Sequence, residues 1–144
     1  MTSIEQYRFE MPVTVRFADL DAMGHLNNVN YLVYTEQARI LYVRQICQGD
    51  KDWRKLGMIL ARTEIDYKLP IAFDDSVKVY IRVSRLGSKS FDFNYLITCQ
   101  QGDANIEIAA LSSSVMVAYD YEQDTTIAIP EQWRENILAY EPAL

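Results

Sequence analysis

Asp19, Asp21, His25, Asn27 and Asn28 fall within ten consecutive positions, and a tract free of Gly and Pro follows from Val29 to Gln48. A carboxylate can take a proton from water or attack a carbonyl carbon itself. The first turn of a helix offers unpaired N–H groups and the positive end of its dipole, which suit a carbonyl oxygen that becomes anionic. Asp21, seven residues before Asn28, is placed to supply the first function, and the start of the tract the second. The same residue types also have plainer uses. An Asp ahead of a helix commonly caps it, and a lone histidine such as His25 commonly serves structure.

The elements that must hold these residues can be read from periodicity. Phe9, Met11, Val13, Val15 and Phe17 alternate with polar neighbours, which predicts a half-buried strand over residues 8–17. Pro12 within it donates no hydrogen bond and argues for a sheet edge or a bulge. Asn27 or Asn28 is a suitable N-cap for a helix of about 18 residues, roughly 27 Å long, ending at Gly49. Tyr31, Tyr34, Thr35, Ala38, Leu41 and Tyr42 form its apolar stripe, with Val33 and Ile40 widening it. Glu36 and Arg39 are spaced to pair.

Alternation then predicts strands around 61–67, 77–84, 91–99 and 106–119. Leu86-Gly87-Ser88 and Gln101-Gly102-Asp103 read as hairpin turns joining the last three in an antiparallel meander. Pro130 opens a short closing helix through Trp133 to Leu138. No linker or repeat interrupts residues 1–144, so the expectation is one α+β domain. About five antiparallel strands curl around one long central helix, which is the hotdog architecture.

Composition supports a packed core and excludes several functions. The chain is 49% hydrophobic with ten tyrosines, which excludes global disorder. A net charge of −6 with no basic run argues against nucleic acid as a partner. Cys47 and Cys99 make neither a disulfide framework nor a Cys-x-x-Cys site, and no metal site is expected. The opening MTSIEQYRFE does not read as a signal peptide, and no apolar run approaches membrane-spanning length. The expected location is the cytoplasm, with no membrane partner.

The stretch FADLDAMGHLNNVNYLVYTEQAR strongly resembles the signature of hotdog-fold acyl-CoA thioesterases of the 4-hydroxybenzoyl-CoA thioesterase type. That signature runs aromatic, Asp-x-Asp, Gly, an Asn-Asn or equivalent, Tyr, and Ala-Arg on the helix. It is also similar to the Asp-Leu-Asp…His-x-Asn-Asn stretch of plant acyl-ACP thioesterases, with Met23 standing where those have Asn. Asp74-Asp75 and Lys89-Ser90-Phe91 extend the likeness over most of the chain. The resemblance implies that Asp21 is the catalytic carboxylate and that the Asn28 backbone N–H polarises a thioester. It implies that His25, matching a catalytic histidine of the plant enzymes, orients or acts as base.

For substrate binding, the resemblance assigns Lys89, Arg85 and Ser90 to the nucleotide of coenzyme A. Tyr31 is expected to line the acyl pocket. Another branch of the fold takes its carboxylate from the helix, but Glu36 here has Arg39 to pair with and is read as structural. No cofactor is implied, coenzyme A being part of the substrate, and acyl-carrier protein is the alternative acyl donor.

Two other classes compete. The hydratase branch carries Asp-x-Asn-Pro-x-His, which this chain breaks at Met23, Gly24 and His25. A non-catalytic acyl-CoA sensor would carry a DNA-binding segment, and none is legible in this acidic sequence. One curled sheet leaves an open groove and an unpaired edge. A homodimer, with dimers of dimers as a further step, is therefore expected, the stretch from Ile59 through Tyr67 walling the partner's site.

Overall fold

A computed structural model describes residues 2–48 and 55–144. Its elements run β1 (Phe9–Val13), α1 (Asn28–Tyr42), β2 (Leu56–Tyr67), β3 (Ser76–Leu86), β4 (Ser90–Gln100), β5 (Glu107–Asp120), the short β6 (Thr125–Thr126) and α2 (Glu131–Tyr140). The strand order is β1-β3-β4-β5-β2, with β6 also on β5. The meander of β3, β4 and β5 and the single long helix are as expected. The terminal position of β1 accounts for Pro12, which sits opposite Lys78 in an antiparallel register.

Two elements are shorter than the periodicity predicts. Residues 8–17 form a strand only through Val13, and a single 3-10 turn follows at Phe17–Asp19. The Asp19 carboxylate takes the Arg16 backbone N–H at 3.0 Å, a donor that a continuing ladder would have used. The helix is α-helical for 15 residues and then loosens into a π turn, Val43–Cys47, before Gln48 turns left-handed at φ 53°. Gly49, the expected terminator, lies outside the described residues.

Contacts divide the chain into two compact units. The first comprises Met1–Arg39, Ile65–Ile81 and Tyr95–Ser112. Tyr31, Tyr34 and Ala38 of α1 are buried there, as are Val77, Val79 and Ile81 of β3 and Tyr95 and Ile97 of β4. A second apolar cluster joins Tyr7, Tyr80 and Leu96, with Ile4, Ile108 and Leu111 packed against it. Arg39 is buried and donates to the Tyr95 hydroxyl at 3.0 Å, while its contact with Glu36 is a looser 3.9 Å. Glu36 is thus paired as expected.

The second unit comprises Ile40–Glu64, Arg82–Asn94 and Ser113–Leu144. Tyr42, Cys47, Phe91, Phe93, Trp133 and Ile137 are buried in it. Glu141 is 3% exposed and accepts from the Tyr42 hydroxyl at 2.6 Å and the Val83 N–H at 3.1 Å, so the chain end after α2 is tied down. Burial, reinforced by Glu141, pushes the Cys47 thiol up to about 12.

Val33 and Ile40, expected to widen the buried stripe, are exposed instead. Their spacing from Val29 puts all three on the helix side away from Tyr31, Tyr34 and Ala38. β2 departs further from its pattern. Every residue from Leu60 to Leu69 except Ile65 is exposed, although the alternation predicts one buried face. Among the described residues no helix is long and apolar enough to cross a membrane.

Candidate active site

Asp19 holds the loop ahead of α1. Only 2% exposed, its carboxylate accepts from Arg16 Nε at 3.2 Å, Arg16 Nη2 at 2.8 Å and the Tyr34 hydroxyl at 2.8 Å. Its backbone carbonyl accepts from the Asn27 N–H and from Asn30 Nδ2, both at 2.9 Å. One residue therefore ties the strand exit to the first two turns of the helix. The Arg16 hydrogen bonds hold the Asp19 carboxyl below the usual carboxylate range. Burial and the Asp19 bond push the Tyr34 phenol up.

Two residues later the chain turns tightly through 21–25. The Asp21 N–H donates to the His25 carbonyl at 2.7 Å, and Gly24 closes the turn at φ +80°, a conformation that costs glycine little. Inside the turn, Asp21 Oδ1 accepts from the N–H groups of Met23 at 2.9 Å and His25 at 3.2 Å. One carboxylate oxygen is thereby fixed. No hydrogen bond among the described residues occupies the other.

The helix then starts with its donors nearly all assigned. Asn27 is the cap: its side-chain oxygen accepts from the Val29 N–H at 3.1 Å, and its carbonyl from the Asn30 N–H at 2.9 Å. The Asn28 N–H has no partner among the described residues. Asp21, His25, Asn28 and Tyr31 line one groove of about 350 Å³, together with Tyr67 and Lys68 from the end of β2 and just beyond. The residue with the anchored carboxylate and the residue whose helix N–H has no partner among the described residues thus line the same groove, and carbonyl addition calls for both kinds of group.

The groove is walled by two tyrosines that sequence reasoning did not pair. The rings of Tyr31 and Tyr67 meet edge to face at 5.0 Å. The Tyr67 hydroxyl donates to the Asn28 carbonyl at 3.0 Å, and the Tyr31 hydroxyl donates to the Leu69 carbonyl at 3.2 Å. Burial raises the Tyr31 phenol above its ordinary range, so it stays a donor. Lys68 was also missed. Its position after an alternating strand reads as ordinary surface, and only the course of 67–70 brings it to the groove.

The residues expected to bind nucleotide do not line this groove; they lie in the second unit. Arg85 is engaged there by Asp92, through Nε at 2.9 Å and Nη2 at 2.8 Å, and by Ser90 Oγ at 2.9 Å. Gly87 permits this close turn, since an added Cβ would meet Arg85 Nη1 at 2.6 Å and the Ser90 carbonyl at 2.8 Å. Lys89 is exposed, and no ion pair among the described residues engages it. No three His, Cys, Asp or Glu side chains among the described residues converge as metal ligands.

The profile of the thioesterase-like superfamily matches residues 15–137. A thioesterase of Thermus thermophilus, solved with coenzyme A and zinc, is 37% identical with a TM-score of 0.81. The match covers 96% of this chain and 97% of that one. The acyl-CoA thioesterase YbgC of Haemophilus influenzae is 25% identical over 126 residues, which are 83% of this chain and 93% of that one. A 4-hydroxybenzoyl-CoA thioesterase variant with bound 4-hydroxybenzoyl-CoA superimposes with a TM-score of 0.81. It covers 90% of this chain and 97% of that one, and at 17% identity it bears on the hotdog fold alone.

Proposed function

As a member of the thioesterase-like superfamily, the chain is a thioester hydrolase, and we propose that it cleaves acyl-CoA to a free acid and coenzyme A at the groove of Asp21 and Asn28. The observation that carries this reading is one groove lined both by Asn28, whose N–H has no partner among the described residues, and by Asp21, whose carboxylate has one oxygen tied and the other without a hydrogen bond among them.

In the proposed reaction the substrate carbonyl oxygen accepts from the Asn28 N–H. The open oxygen of Asp21 takes a proton from water as the water oxygen bonds to the carbonyl carbon, or attacks that carbon itself. Negative charge collects on the carbonyl oxygen and is stabilised by the helix terminus. Its collapse breaks the C–S bond, and the thiol leaves with a proton. Direct attack by Asp21 gives an acyl anhydride, which water then hydrolyses to restore the carboxylate. Both routes need the same ionised oxygen, and neither calls for a cofactor.

His25 reaches Asp21 through its backbone, so its imidazole is assigned the groove rim rather than the proton transfer. Lys89 is the residue we assign to the coenzyme A phosphates, because Arg85 and Ser90 already serve Asp92 and each other. A carrier-protein thioester would present the same reacting atoms. The free, buried cysteines fit a reducing compartment such as the cytoplasm.

The working unit is proposed to be a homodimer joined along β2. That strand ends the sheet order and exposes Leu60 and Tyr67, at 51% and 45%. An edge so open is a template for a second copy. Release of free thiol from a panel of acyl-CoA thioesters tests the activity itself.

A further inference from the structure

Tyr67 and Tyr31 bond reciprocally between the first turn of α1 and the segment after β2. Tyr67, on β2, reaches the carbonyl of Asn28, while Tyr31, on α1, reaches the carbonyl of Leu69. Asn28 and Tyr31 are three apart and share a face of the helix, which is why one short segment can meet both. The Leu26 N–H continues the seam to the Ile71 carbonyl at 2.8 Å, and His25 bridges to Ala72. The far side of the segment is held by β5, whose Ala109 carbonyl accepts from the N–H groups of Lys68 at 2.8 Å and Leu69 at 3.1 Å.

Both phenols thus spend their hydroxyls on backbone carbonyls, and their rings meet edge to face. Such rings offer the groove apolar surface rather than acid–base groups. The bond to Asn28 matters most, because it falls on the residue whose N–H is the open donor. The Asn28 carbonyl lies in the peptide plane after the one that carries its N–H, so fixing it restrains the N–H through the φ and ψ of Asn28. A donor aimed before the substrate arrives stabilises developing charge without reorganising during the reaction.

We propose that Tyr67 and Tyr31 are positioning residues that act as one clasp, holding the Asn28 backbone so that its N–H points at the thioester oxygen. This rests on the reading of Asn28 given above. The role differs from lining an acyl pocket. Pocket lining depends on the rings, whereas the clasp depends on the hydroxyls.

Tyr67→Phe and Tyr31→Phe keep both rings and remove one hydroxyl each. For Tyr67→Phe the expected result is a fall in kcat of about tenfold, the scale of one ordinary hydrogen bond. KM, and the affinity for a thioether analogue of acyl-CoA that lacks the carbonyl, stay within about twofold. The double variant loses little more than Tyr67→Phe alone, because either break opens the same clasp. Hydrogen exchange over residues 26–32 rises in both single variants, and this readout needs no turnover.

An inactive wild-type protein therefore refutes the thioesterase reading and leaves the clasp to be decided by exchange. Unchanged exchange, kcat within twofold of wild type, or a double-variant loss equal to the product of the two single losses overturns the clasp.

Discussion

His25 holds Asp21 through its backbone: its N–H reaches Asp21 Oδ1 at 3.2 Å, and its carbonyl accepts the Asp21 N–H at 2.7 Å. Both contacts survive a change of side chain. His25→Gln is accordingly expected to keep kcat within about threefold of wild type and to leave the loop intact. Steady-state kinetics checks this, and a loss on the order of 10²-fold would return the imidazole to the proton transfer.

Lys89→Ala is expected to raise KM for acyl-CoA several-fold and leave kcat near wild type, since a contact to a distant phosphate is uniform binding. Arg85→Ala is the comparison. Its guanidinium is engaged by Asp92 and Ser90, and a partly exposed pair of this kind contributes little to stability. It should change KM less than Lys89→Ala does. Equal KM effects would show that the Arg85–Asp92 pair opens to receive the nucleotide.

The structure of the loop was legible because it is local. Asp21 and Asn28 are seven residues apart, and a turn closed by Gly24 followed by a capped helix is written in consecutive letters. The strand meander was legible for the same reason, its hairpin turns being marked by glycine. Tyr67 and Lys68 were not, because their place at the groove depends on β2 pairing with β5 rather than with its neighbour in sequence. Alternation also could not tell that β2 is exposed on both faces from Leu60 to Tyr67, Ile65 apart. The pattern reports which residues suit a strand, while burial depends on what covers it. Val33 and Ile40 misled in the same way, apolar letters on a helix face that the described chain leaves open.

Acid should weaken the fold through Asp19. The Arg16 bonds lower its carboxyl below the ordinary 3.8 in the folded protein. A depressed folded pKa contributes stability above the unfolded value, about 3.9, and that contribution is lost as pH falls through the folded one. The unfolding midpoint of the wild type should therefore drop steeply below about pH 4. Asp19→Asn should begin lower at neutral pH and fall less in that window. Parallel curves for the two proteins would remove Asp19 from the acid transition.

Assembly follows from the open edge at β2. Light scattering at micromolar concentration should give the mass of a dimer or a multiple of it. Leu60→Asp, which sets a charge on the exposed edge, should shift the distribution toward monomer and lower activity in step. An active wild-type monomer under those conditions would contradict the dimer and its two-chain sites.

Thiol release from an acyl-CoA panel, followed for wild type and Asp21→Asn side by side, measures what the Asp21 carboxylate does to a thioester. The substitution keeps the shape of Asp21 and removes the charge that activates water or attacks the thioester. The wild type should release coenzyme A from at least one acyl-CoA. The variant, folded and with similar KM, should be slower in kcat on the order of 10²-fold or more. Hydrolysis by Asp21→Asn at the wild-type rate would take Asp21 out of the reaction.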